Sequence, residues 1–146
     1  MRAVLQRVHR ASVRVGGAVV GEITEPGLVA LVGVTHTDGM DQASWLARKI
    51  ADLRILRQER SVRDVGAPVL LVSQFTLYAD LGKGRRPSWS VAAPAGIAEP
   101  LIDAVGDVLR ELGIQVATGV FGAEMTVEII GDGPVTILLE TPQGQA

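Results

Sequence analysis

From Leu28 to Val34 the chain carries no charged or hydroxyl side chain over a stretch of strand length. A strand without a polar face has to be covered on both sides, so a sheet open to water on one face is excluded. The run is also far short of the roughly 18 apolar residues that cross a bilayer. In a chain of 146 residues, 47% hydrophobic and 21% charged, area scaling leaves about two-thirds of the unfolded surface to be buried. That predicts one globular domain over residues 1–146. Charge at Arg2 and Arg7 breaks the opening apolar stretch before an export signal could form, which predicts a cytoplasmic protein away from membranes.

Local signals fill in the elements around this strand. Arg2 to Val15 alternates best at Ala11-Ser12-Val13-Arg14-Val15, meets Gly16-Gly17 and resumes as Ala18 to Ile23, which reads as a hairpin with a primed two-residue turn. Ala43, Leu46, Ala47, Ile50 and Leu53 recur at helical spacing, with Thr37, Asp38 or Asp41 as the N-cap and an end near Leu56. Arg54, Arg57, Arg60 and Arg63 follow, read as cations near a helix C-terminus. Pro68 opens a strand from Val69 to Phe75. Ile97, Leu101, Val105, Val108 and Leu112 form the stripe of a second helix, with Pro100 in its first turn and Gly113 just past its end. Ile114–Thr118, Met125–Ile129 and Val135–Glu140 complete a strand cluster with odd positions facing in, the last two strands being separated by Gly131-Asp132-Gly133-Pro134. The pattern is a mixed α/β domain with two amphipathic helices.

Conventional catalysts are scarce. Cysteine is absent, and the two histidines, His9 and His36, have no metal-ligand spacing, so thiol nucleophiles and zinc–thiolate sites are excluded. No cofactor or metal is expected. The net charge of −2 hides a polarity: residues 1–90 hold 13 Lys/Arg and 8 Asp/Glu, residues 91–146 hold 1 and 8. A basic half suits phosphate contact, and equally solvates a fold.

Four features carry candidate chemistry. Ser73-Gln74-Phe75-Thr76-Leu77 brings hydroxyls and an amide to the end of an apolar strand, where sites often form; the same hydroxyls can simply satisfy the terminating backbone. Gly131-Asp132-Gly133-Pro134 is turn chemistry, yet a Gly-Pro tip with no Cβ on its first residue can meet a small ligand closely, and its peptide can be cis. Arg7 shares a strand face with Leu5, so it needs a fixed acceptor, either backbone carbonyls or a carboxylate, unless a bulge near Val8 turns it outward. Lys83, Arg85 and Arg86, with Trp89 nearby, form either a solvated loop or a phosphate-binding patch with a stacking ring.

In order along the chain, these residues resemble the D-aminoacyl-tRNA deacylase family. The resemblance runs through Gln6-Arg7-Val8, Ala11-Ser12-Val13, Ser73-Gln74-Phe75-Thr76-Leu77, Gly84-Arg85-Arg86-Pro87-Ser88-Trp89, Thr118-Gly119-Val120-Phe121-Gly122-Ala123 and Gly133-Pro134-Val135-Thr136, the motifs at 73–77 and 133–136 being its signatures. Two departures stand out. Gly131 occupies a position where the family usually has Asn, and the stretch from Gln58 to Ala67 is short.

The resemblance implies a largely antiparallel, barrel-like sheet in a three-layer domain, and hydrolysis of the ester joining a D-amino acid to the acceptor end of tRNA by a homodimer. It implies a cis Gly133–Pro134 inserted into the partner's pocket, with Arg7 bracing it, and a floor made by Ser73, Gln74, Phe75 and Thr76. Rejection of L side chains would then lie in rigid backbone, and mischarged glycyl-tRNA would pass. With no base near Thr76 in sequence, the ribose 2′-hydroxyl assisting water, with the Phe75 and Thr76 amides as oxyanion donors, is favoured over a Thr76 nucleophile. Lys83, Arg85 and Arg86 would contact tRNA. The alternative of another class is a non-enzymatic tRNA-binding or assembly module.

Overall fold

The structure, a computed structural model, describes residues 1–143. Strand β1 (Arg2–Val15) turns at Gly16-Gly17, both with positive φ as a primed turn requires, into β2 (Ala18–Ile23). Strand β3 (Gly27–Gly33) follows, then α1 (Met40–Asp52), a one-turn helix α2 (Val62–Val65), β4 (Val69–Ser73), α3 (Ala95–Glu111), β5 (Val116–Thr118) and β6 (Thr126–Glu140). The sheet runs β2-β1-β3-β4-β5, with β6 on the other edge of β1. Pairing is antiparallel around β1 and parallel for β3–β4 and β4–β5. The sheet nearly closes into a barrel where β2 meets β5. Gly21 makes that approach possible, since a Cβ there would collide with the Thr118 carbonyl.

The strands without a polar face do divide two cores between them. Leu28, Ala30 and Val32 of β3 and Val69 and Leu71 of β4 pack toward Leu46 and Ile50 of α1 and Leu101, Val105 and Leu109 of α3. Their alternate neighbours, Val29, Leu70 and Val72, fill the barrel interior with Val8, Val13 and Ile23. Period-two alternation through a strand buried on both sides produces this division. Helices outside a curled two-walled sheet make three layers. No helix among the described residues is long and apolar enough to cross a membrane.

Several boundaries differ from the sequence reading, each for a local reason. Helix α1 is capped by Gly39, whose N–H donates to Gln42 Oε1 at 2.8 Å, while Asp38 accepts from the Thr35 N–H. It ends at Asp52, so Arg54, Arg57, Arg60 and Arg63 all lie beyond it, and Lys49 is the cation in its last turn. In α3, capped by Pro94, Pro100 sits past the first turn and Ile97 is exposed. The buried stripe is instead Ala98, Leu101, Ile102, Val105 and Leu109, and Gly113 takes the left-handed φ of 84° expected after the helix end. The short stretch after Gln58 folds into α2, capped by Ser61 and closed by Gly66.

The largest difference is in β6. Gly131 to Pro134 does not separate two strands: β1 is long enough to pair with both halves, so β6 runs through. The extra residues are absorbed as a bulge. Gln6 pairs with Thr136 and Val8 with Gly131, which leaves Asp132 to Val135 opposite Arg7 alone.

Candidate active site

Strand β4 ends at Ser73, and Phe75–Tyr78 follows as a 3-10 turn rather than as more strand. Leu77 is the first amide to bond back, to the Gln74 carbonyl at 3.2 Å. The N–H groups of Phe75 and Thr76 come before that bond, and like the first amides of any helical turn they point out of it. The turn lies tight against β3 because Gly33 has no Cβ; one would approach the Gln74 carbonyl to 2.9 Å. Thr76 Oγ1 accepts a hydrogen bond from the Gln74 side-chain amide. Among the described residues, no His, Lys or carboxylate is hydrogen-bonded to Thr76 Oγ1 to take its proton.

Ser73 and Phe75 line a cavity of about 190 Å³ with Gly33, Ala98, Phe121 and Gly122. Sequence reasoning missed Gly33 and the 121–122 corner as walls. The positive φ of Gly122 and the small residues Ala93, Ala95 and Ala98 were the available signals. At the mouth, Phe75 and Trp89 are half-exposed and meet edge to face, with ring centroids 5.1 Å apart. Trp89 immediately follows a loop tied at its base by paired backbone bonds between Asp80 and Ser88, and Lys83, Arg85 and Arg86 stand exposed on that loop. A larger cavity of about 330 Å³ near Arg2, Thr35 and Tyr78 is lined by none of residues 73–76.

The Gly133–Pro134 peptide is cis. Gly133 has φ 127°, and a Cβ there would come within 3.0 Å of the Arg7 guanidinium and the Val135 nitrogen. Arg7, its side chain only 14% exposed, donates from Nε to the Asp132 carbonyl at 3.1 Å and from a terminal nitrogen to the Ile55 carbonyl at 3.4 Å. It also lies 3.4 Å from the Asp132 carboxylate. Both acceptor types foreseen for an inward Arg7 are therefore present, and the bulge at Val8 does not turn it out. The hydrogen bond from Arg57, aided by the charges of Arg57, Arg7 and His9, holds the Asp132 carboxyl below the usual carboxylate range against its burial.

The structure does not bring the two motifs together within one chain. Arg7 is level with Leu28 and Val69, whereas Ser73 is level with Val32, at the other end of β4. At strand spacings the bulge and Ser73 are about 13 Å apart along the strands and about 14 Å across them. The cavity at Ser73 shares no lining residue with the hollows beside Arg7.

This near-closed mixed barrel matches a solved structure described as "c-Myc DNA Unwinding Element Binding Protein", 39% identical with TM-score 0.89, covering 97% of this chain and 99% of that one. In fold alone it also matches "Structural Analysis of a probable eukaryotic D-amino acid tRNA deacylase", 14% identical with TM-score 0.81, covering 94% and 97%. The class is thus a small, nearly closed mixed barrel. Within it, the family described as D-Tyr-tRNA(Tyr) deacylase matches residues 4–140. The D-aminoacyl-tRNA deacylases of Beutenbergia cavernae and Kineococcus radiotolerans are 66% and 64% identical over 140 residues, covering 96% of this chain and 99% of each relative. The chain belongs to this deacylase family and is a hydrolase.

Proposed function

We propose that this protein hydrolyses the ester of D-aminoacyl-tRNA as a homodimer, each subunit's Gly133-Pro134 closing the partner's pocket at Ser73, Gln74, Phe75 and Thr76. The reading rests above all on the separation of the two motifs: a bulge about 13 Å along and 14 Å across from the Ser73 turn cannot reach it within one chain. A second copy can. The outer edge of β6 supports this, since among the described residues β6 pairs only with β1. An unpaired edge of 15 residues, with Leu138 78% exposed, invites a partner.

In this arrangement the terminal adenine stacks at Phe75 and Trp89, and Lys83, Arg85 and Arg86 meet the acceptor-stem phosphates. The aminoacyl group enters the small cavity. As the carbonyl becomes tetrahedral, the Phe75 and Thr76 amides receive the oxyanion, and the ribose 2′-hydroxyl assists the attacking water. Thr76 supplies its backbone rather than a nucleophile. The partner's Gly-Pro backbone leaves no room for an L substituent, whereas D residues and glycine avoid it, so glycyl-tRNA is a substrate as well.

The test is ester loss from matched D- and L-aminoacyl-tRNA. Fast loss from the D form alone is expected. Equal rates overturn the stereochemical reading, and salt-sensitive tRNA binding without cleavage of either ester replaces it with a binding module.

A further inference from the structure

The four arginines beyond α1 are not used by the reaction above, and they do not make a free cationic surface. Arg63 is 3.4 Å from Asp52, and Arg54 and Arg60 lie near Asp64. Arg57 is different, because it reaches across the fold to the residue that precedes the Gly-Pro tip. Its terminal nitrogen is 2.6 Å from Asp132 Oδ1 and its Nε is 3.3 Å from Oδ2, so the carboxylate is gripped by a fork.

Asp132 is then held through both its carboxylate and its backbone carbonyl. Its carboxylate, 6% exposed, is shared between Arg57 and Arg7, and its carbonyl accepts from Arg7. Arg57 is itself aimed by its loop. Gln58 and Glu59, neither of them glycine, adopt left-handed φ values of 64° and 55°, and the Leu56 N–H closes the loop on the Arg60 carbonyl at 2.9 Å. Two left-handed side-chain-bearing residues in succession are costly, and such backbone is kept where the surrounding structure fixes a functional geometry.

We infer that Arg57 and Asp132 are positioning residues for chiral selection: their ion pair straps the 56–60 loop across the bulge and fixes where the Gly133-Pro134 backbone projects. The inference rests on the function proposed above. A tip that excludes an L substituent by contact has to be held to within about 0.5 Å, which the supporting side chains must supply. Gly131 beside Asp132 contributes no side chain to the bulge, and a Cβ there would meet nothing within 4 Å. Arg7 secures the inner side of Asp132 and Arg57 the outer.

Arg57→Ala removes the strap without entering a core, because the Arg57 side chain is 69% exposed. With the wild type established as D-selective on the same tRNAs, the ratio of L to D ester cleavage in the variant should rise at least about tenfold, a loss of about 1.4 kcal/mol of discrimination. Arg57→Lys, which keeps the charge but not the fork, should recover part of the selectivity. Asp132→Asn, which weakens the Arg7 contact as well, should lose at least as much selectivity as Arg57→Ala, and adding Arg57→Ala to it should cost little more, since the ion pair is already gone. A structural role alone would lower stability and leave the ratio where it was.

Amide hydrogen exchange gives a readout independent of catalysis. Arg57→Ala should speed exchange at Asp132, Gly133 and Val135 while the β3 and β4 amides keep their protection. Unchanged selectivity in Arg57→Ala overturns the inference, and so does unchanged exchange at the tip. A wild type that does not distinguish D from L refutes the proposed function instead, and the exchange measurement then decides on the strap by itself.

Discussion

Replacing Gly133 by alanine tests the close backbone approach on which selection depends. The residue sits at φ 127°, and the added methyl would lie 3.0 Å from an Arg7 nitrogen, 3.0 Å from the Val135 nitrogen and 3.2 Å from Val135 Cγ2. The methyl thus points into the chain's own bulge, so the first neighbours it displaces are the brace and the backbone, not the ligand. Holding a non-glycine residue in such backbone costs about 1–3 kcal/mol. At about 2–4 °C per kcal/mol for a chain of this size, thermal melting should fall by roughly 2–12 °C. A domain stable by about 5–15 kcal/mol survives that loss.

The assay pairs a melting curve with ester loss from D- and L-aminoacyl-tRNA, and Gly131→Ala is the control. Gly131 has no positive φ and open space around its Cβ position, so its alanine variant should melt within about 2 °C of wild type, as surface changes usually do. Gly133→Ala should lose selectivity along with its few degrees. If it keeps both the wild-type melting temperature and the wild-type selectivity, the account of the brace is wrong. If it fails to fold at room temperature, the bulge is an architectural element and selection is secondary.

Three further outcomes follow from the geometry. Thr76→Ala keeps the backbone amide and should lose less than about tenfold in single-turnover deacylation, against several orders of magnitude for a true nucleophile; loss of that larger size would restore the nucleophile. Burial, and then the charge of Asp38, push the Tyr78 hydroxyl from 10.0 up to about 12. With the folded value raised, its contribution is complete below pH 10 and is lost as pH climbs toward 12, about 2–3 kcal/mol in all. Urea midpoints of Tyr78→Phe should lack this alkaline loss, and parallel curves for the two proteins would contradict it. Gly21→Ala would push β2 off the Thr118 carbonyl of β5 and should cost at least about 1–3 kcal/mol in denaturant unfolding; an unchanged midpoint would mean that the barrel seam is not tight there.

Much of the fold is legible in the sequence because its signals are local. Glycines at 16 and 17 set a primed turn, and a run with no polar face sets strands covered on both sides. Gly113 ends α3, and period-two alternation holds on either side of the bulge, from Met125 to Ile129 and from Val135 to Glu140, breaking only in between. Gly-Asp-Gly-Pro has the same backbone preferences in a hairpin as in a bulge. Which one forms depends on whether the strand opposite continues. The end of β4 is not legible locally either, because Phe75 is as acceptable to a strand as to the 3-10 turn that Gly33 lets lie against β3.

The sequence by itself determined most of the strands and the two long helices, the absence of thiol chemistry, the need of an inward Arg7 for an acceptor, and the motifs that mark the family. Those are written in residue type and short-range spacing. Only the tertiary structure decided that β6 is one strand, that the Gly133-Pro134 bulge stands away from the Ser73 turn of its own chain, and that Arg57 grips Asp132 across 75 residues of sequence. The physical reason is that strand pairing and side-chain reach are settled by what lies opposite in space. A charged pair so far apart in sequence leaves no periodicity to read, and it forms because the sheet has already placed the bulge beneath the loop.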